Sequence, residues 1–143
     1  MHRAIAIALV LVCLLLPVLA AAGTDQGRAS AEKAALAWLA MVDQADWAGS
    51  YAAAHANLRA TTDRAAWDYR LKELRADLGD IKGRKLQRAG FSGDRPHPPK
   101  QPYWSFVFDT DTARAGQVEE SVTCRPGPDG AWQVSGYFID LKL

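Results

Sequence analysis

At Gly79 the hydrophobic period of this chain changes, and that change limits the possible folds more than any single residue does. Before it, apolar residues recur at helical spacing. With Ser30 as a candidate N-cap, Ala35, Trp38, Leu39 and Val42 fall at i, i+3, i+4 and i+7, which predicts a first amphipathic helix. Asp46 is placed to cap a second, short or irregular helix, whose stripe is Trp47, Tyr51, Ala54 and Leu58. Thr62 precedes a third helix, where Trp67, Leu71, Leu74 and Leu78 form one stripe and Gly79 stands at the expected C′ position. The other face of that helix, with Arg64, Asp68, Lys72, Arg75 and Asp77, reads as its solvated side.

After Gly79 the period falls to two. Ile81 to Ala89 carries Lys82, Arg84, Leu86 and Arg88 without a clean apolar face, as an edge strand guarded by charge does. Gly90 to Pro102 is a Gly- and Pro-rich loop. Trp104, Phe106 and Phe108 alternate with Ser105, Val107 and Asp109, and Val118, Glu120, Val122 and Cys124 share one face of the next strand. Asp129-Gly130 marks a hairpin turn. In the last strand, Trp132, Val134 and Phe138 are assigned to one face, with Tyr137 and Ile139 opposite. Helices followed by strands, without alternation, predict an α+β domain of three N-terminal helices packed on a curved antiparallel sheet of about four strands.

Ahead of the first helix, His2 and Arg3 precede an apolar run from Ala4 to Leu16, then Pro17 and the small residues Ala20 to Ala22. This order is that of a secretory signal peptide. The run is shorter than the about 20 residues that span a bilayer, so no stable membrane span is expected once it is removed. Residues 1–22 are assigned to the signal and 23–143 to a single exported domain, periplasmic or secreted. Cleavage after Ala22 is preferred and cleavage after Ala20 is the alternative. Cys13 follows Val12 inside the apolar run, which argues against lipidation and makes it a filler lost with the signal. Cys124 is then left alone, so the domain has no intramolecular disulfide and must rely on its core. Loss of Arg3 turns 17 basic and 16 acidic residues into 16 of each, a neutral domain without the basic footprint of a nucleic-acid binder.

Three segments together resemble the DUF4019 family of bacterial proteins. The first is AEKAALAWLAMVDQADWAGSY, Ala31 to Tyr51; the second runs from Trp67 to Leu86 and contains Leu78-Gly79 and Arg84-Lys85-Leu86. The third and most specific is Glu120-Ser121-Val122-Thr123, followed by Asp129-Gly130, Trp132, Val134 and Gly136-Tyr137-Phe138-Ile139. The family has no assigned activity. The resemblance implies a cone-like α+β fold similar to the NTF2-like or cystatin-like superfamily, which hosts enzymes and binding modules alike.

Glu120 is the leading candidate for chemistry. Among Val118, Val122 and Cys124, a carboxylate would be desolvated and its pKa raised, as suits an acid or base; the alternatives are a salt bridge to Arg84 or Arg88, or exposure at a sheet edge. His55 is its possible acid–base partner, or else a capping or surface residue. His97 lies in the loop and His2 leaves with the signal. There is no G-x-S-x-G turn, and Cys124 on an inward face reads as an inert small hydrophobe, with redox sensing or an intermolecular disulfide as its other roles. Asp109-Thr110-Asp111 with Glu120 imitates part of a calcium loop, but Ala113 and Arg114 stand where a ligand and glycine are required. The scattered histidines show no zinc spacing. No metal or cofactor is therefore expected. The P-x-x-P spacing between Arg95 and Pro102 fits a stiff connector better than a recognition motif.

Five tryptophans without a catalytic constellation lead to the functional expectation. It is a non-catalytic exported module that binds a small apolar or amphipathic molecule, or a protein partner, with Trp104, Phe106, Glu120 and Tyr137 lining the site on the sheet face. An enzyme using Glu120 with His55, and a structural envelope protein, are the alternatives.

Overall fold

The computed structural model describes residues 22–93, 95, 96 and 99–142. The signal assignment for residues 1–21, with His2 and Cys13, lies outside the described residues, as does His97. Among the described residues four helices come first: α1 (Asp25–Asp43), α2 (Trp47–Ala53), α3 (Ala56–Thr61) and α4 (Arg64–Leu78). Strand β1 (Ile81–Ser92) follows. After it come the two-residue strands β2 (Arg95–Pro96) and β3 (Pro99–Lys100), then β4 (Tyr103–Thr112), β5 (Gly116–Pro126) and β6 (Trp132–Leu141). The long strands form one antiparallel sheet in the order β1-β4-β5-β6, and β2 pairs with β3 inside the segment expected to be a loop throughout. The domain is α+β, with the helical and strand segments separated in sequence.

The helices depart from expectation in two places. Helix α1 begins at Asp25, not after Ser30, because the Thr24 hydroxyl accepts from the Gly27 amide at 3.1 Å and Asp25 adds a negative charge to the first turn. Ser30 sits inside the helix. The stripe from Trp47 to Leu58 splits into α2 and α3 at Ala54-His55, where both residues are extended. There the His55 amide donates to the Val134 carbonyl at 2.7 Å, and its ring Nδ1 accepts from the Asn57 amide at 3.2 Å. Tethering to the sheet thus replaces helix continuation, so that the expected second helix is two, α2 and α3, among the described residues. Helix α4 starts from Asp63, whose carboxylate accepts from the Ala66 amide, and ends at Gly79 with φ of 71°. A Cβ at Gly79 would lie 2.8 Å from the Arg114 side chain, so both its backbone angle and its surroundings favour glycine.

The inner face of the sheet carries Phe106, Phe108, Thr110, Val118, Glu120, Val122, Cys124 and Val134, all nearly or wholly inaccessible, beneath Ala31, Ala35, Trp38, Leu39 and Val42 of α1. Each large apolar side chain buried there contributes about 1.5–3 kcal/mol relative to exposure.

The strand pairing skips one residue at three places, Lys82, Gln87 and Ser135, and the last two decide which candidate side chains reach this face. In β6 the register passes from Gly136 opposite Thr123 to Val134 opposite Cys124, leaving Ser135 as a bulge. The bulge reverses the alternation, so Tyr137 joins the face of Val134 and Phe138 turns outward with 72% of its surface exposed. This corrects the expected grouping of Phe138 with Val134 and of Tyr137 opposite them. In β1 the register skips Gln87 between Leu86 and Arg88. Arg84 opposite Thr110 therefore points inward, while Arg88 opposite Val107 points outward and pairs with Glu119 at 2.9 Å.

Candidate functional site

Six elements converge on Glu120. The side chain is fully buried on the inner face of β5, next to the Thr110 position of β4 and the bulge-redirected Tyr137 of β6. Arg84 Nε donates to its Oε1 at 2.7 Å, and Thr110 Oγ1 donates to the same oxygen at 2.6 Å. Tyr137 donates to Oε2 at 2.5 Å, and Arg75 Nη2 of α4 stands 3.6 Å from that oxygen. Asp43, the last residue of α1, closes the cluster. Arg84 Nη1 and Nη2 donate to its two oxygens at 2.8 and 3.0 Å, and Arg75 Nη2 lies 3.0 Å from Oδ1.

Two guanidinium groups thus balance two carboxylates, as removal of charge from water requires. Burial alone would raise the pKa of Glu120. The hydrogen bond and charge of Arg84, with the hydroxyls of Thr110 and Tyr137, outweigh it and hold the carboxylate below its ordinary value. Burial also works against the charge on Arg84, yet its bonds to Asp43 and Glu120 keep it well above the usual guanidinium range. Tyr137 is pushed well above the ordinary phenol value by burial and then by the Glu120 charge. The expected rise at Glu120 is therefore reversed. An ionised carboxylate that accepts three hydrogen bonds has no proton to donate and is held in place by the cluster.

Arg75 and Arg84 form part of the wall of an open cleft of about 760 Å³ at the end of the domain where α1 stops and β1 starts. Ala45, Trp47, Ala76 and Ile81 supply apolar surface; Lys82 and Arg114 add positive charge, and Asp43 and Asp80 negative charge. Arg75 is only 11% exposed, and its Nε and Nη1 are buried without a hydrogen-bond partner among the described residues. Ala45, on the same wall, has φ of 59°, a left-handed backbone unusual for a residue with a Cβ.

The other residues singled out in the sequence lie elsewhere. His55 bonds through Nε2 to the Pro126 carbonyl at 3.3 Å and borders a separate cleft with Asn57 and Arg125. It shares no partner with Glu120, so the two are not brought together as an acid–base pair. Trp104 and Phe106 stack at 6.0 Å in the core, and Tyr137 meets Trp38 edge-on at 5.1 Å. The sheet face expected to hold a ligand is covered by α1 and these aromatics. A further cleft of about 450 Å³, bordered by Ala22, Pro102, Pro126, Pro128 and Trp132, lies at the other end of the sheet. None of these three clefts is lined by Trp104, Phe106, Glu120 or Tyr137. Cys124 is wholly buried, its thiol pushed up to about 12 by desolvation, which suits an inert core residue. Asp109 bonds to Lys142 on the outer face while Thr110 points inward, so the calcium-like run is an ordinary strand. Among the described residues no group of three or more metal-ligating side chains comes together, and no helix is long and apolar enough to cross a membrane.

Sequence reasoning missed Asp43 and Arg75 as site residues. Arg75 was placed on the solvated side of its helix, and only the approach of α4 to β6 brings it to Tyr137 Oη at 3.2 Å. Ser50 was also missed. It is fully buried, its carbonyl accepting from the Trp38 indole at 2.9 Å and its hydroxyl from the Trp67 indole at 3.0 Å.

A family model described as a protein of unknown function (DUF4019) matches residues 34–137. That span includes every member of the Glu120 cluster. No curated protein and no solved structure matches the chain.

Proposed function

The chain belongs to the DUF4019 family, and from that premise we propose that it is an exported, non-catalytic binding domain for a small amphipathic molecule with an anionic head. The head would sit at the Arg75 and Arg84 end of the 760 Å³ cleft, and the apolar part against Trp47 and Ile81. Export is supported by the charged, apolar and small-residue order of the first 22 residues. The cone-like analogy is supported by α1 covering one face of the four-stranded sheet.

One observation carries the ligand class: a nearly buried arginine on the cleft wall has two side-chain nitrogens, Nε and Nη1, without an acceptor among the described residues. Buried donors are rarely left unpaired, and a guanidinium is matched best by a carboxylate or phosphate. Enzymatic use of Glu120 is disfavoured by its three hydrogen bonds and ion pair to Arg75, and by the distant engagement of His55.

The test is calorimetric titration of the purified chain with decanoate and with decylammonium, which share a tail and differ in the sign of the head. Decanoate is expected to bind with a Kd on the order of 1 mM or tighter, a scale set by its few atoms. Decylammonium is expected not to bind, and Trp47→Ala to weaken decanoate. Equal binding of both heads, or no effect of Trp47→Ala, would count against the proposal.

A further inference from the structure

The first described residue is held in the fold. Ala22 is only 7% exposed, and its carbonyl accepts from the Trp104 indole N–H at 2.8 Å. Trp104 is itself 8% exposed and packs on Phe91 at 5.1 Å as well as on Phe106, so the indole has a fixed position at the end of β4. Gly23 follows in close contact with the Phe91 ring, where a Cβ would come within 2.8 Å. Thr24 then caps α1. Residues 22–24 therefore clasp the start of α1 to the sheet.

Resting on the export reading above, we propose that leader processing leaves Ala22 in the mature chain, with the cut after Ala20 and not after Ala22. A cut after Ala22 would remove the acceptor of a buried indole and place a new ammonium on Gly23 beside it. Two donors would then face each other without an acceptor. The same positive charge would lie one residue before the N-cap of α1, where the helix already presents the positive end of its dipole. A cut after Ala20 keeps the Ala22 carbonyl as a peptide group and moves the charge out to Ala21. A cut after Ala22 has Ala22 and Ala20 in the A-x-A positions and a cut after Ala20 has Ala20 and Val18, so the leader's own pattern favours the former and the contacts of Ala22 in the fold favour the latter. Ala22 also forms part of the wall of the 450 Å³ cleft with Trp132, so the choice of cut decides whether that wall is complete.

The experiment is intact-mass measurement on the full chain, expressed with its own leader in a Gram-negative host and separated into periplasmic and cytosolic fractions. A periplasmic chain beginning at Ala21 is expected. A periplasmic chain beginning at Gly23, or one retaining the whole leader, overturns this inference and leaves the export reading standing. An unprocessed chain confined to the cytosol overturns both. In the processed chain, hydrogen exchange at the Trp104 indole gives an independent check. Slow exchange is expected, and exchange at the rate of a free indole would overturn the anchoring role of Ala22.

Discussion

Glu120 keeps its charge inside the protein because its two oxygens accept three hydrogen bonds, from Arg84, Thr110 and Tyr137, and a second guanidinium, that of Arg75, stands 3.6 Å away. Its pKa is lower in the folded chain than in the unfolded one, where the value is about 4.3. The stabilisation it brings is therefore fully present above about pH 4.3 and is lost as pH falls through the folded value. Urea unfolding across the acid range is expected to show this loss in the wild type and not in Glu120→Gln. At neutral pH the variant is expected to be less stable by about 3 kcal/mol, because it leaves Arg75 and Arg84 short of a negative charge. Parallel acid profiles for the two chains would contradict this account. Strand alternation was enough to place Glu120 among Val118, Val122 and Cys124, and it named Arg84 and Arg88 as possible partners. It could not choose between them, because the choice depends on the Gln87 bulge in a different strand.

At the level of elements, that bulge and its counterpart at Ser135 have the same effect. Each shifts the side-chain period by one residue and sends an inner-face candidate to its final side: Arg84 inward and Arg88 outward in β1, Tyr137 inward and Phe138 outward in β6. Neither bulge is marked by a glycine or proline at the skipped position, which explains why a pattern of alternating residues misassigned Phe138. The start of α1 was hidden for a related reason. Thr24 and Ser30 are equally good caps on chemistry alone, and the apolar stripe that selects between them weakens over the small residues Gly27 and Ala29. The split between α2 and α3 depends on a hydrogen bond from His55 to a strand 79 positions later in the chain, which no local pattern can signal. Deletion of Ser135 would restore strict alternation and turn Tyr137 outward. It is expected to destabilise the fold by more than Tyr137→Phe does, since the deletion loses the ring packing on Trp38 as well as the bond to Glu120. Equal unfolding midpoints for the two variants would show that the bulge does not set the position of Tyr137.

In the whole molecule, the order of helices before strands was legible from the change of period at Gly79, and with it the α+β class and the antiparallel sheet. The place of the cleft was not, because it lies where the end of α1, the C-terminal part of α4 and the start of β1 meet, and these segments are far apart in sequence. The aromatic residues that suggested a ligand face turned out to fill the interior, while the cleft draws on one tryptophan, two arginines of the buried cluster and two further cations. The central claim is that this cleft takes an anionic head at Arg75. The most direct test is a nitrogen-15 NMR titration of the Arg75 Nε–H resonance with decanoate, with decylammonium as the matched control. The account predicts a saturable downfield shift with decanoate and none with decylammonium. An Arg75 resonance that stays in place throughout the decanoate titration, in a chain that remains folded, would contradict it.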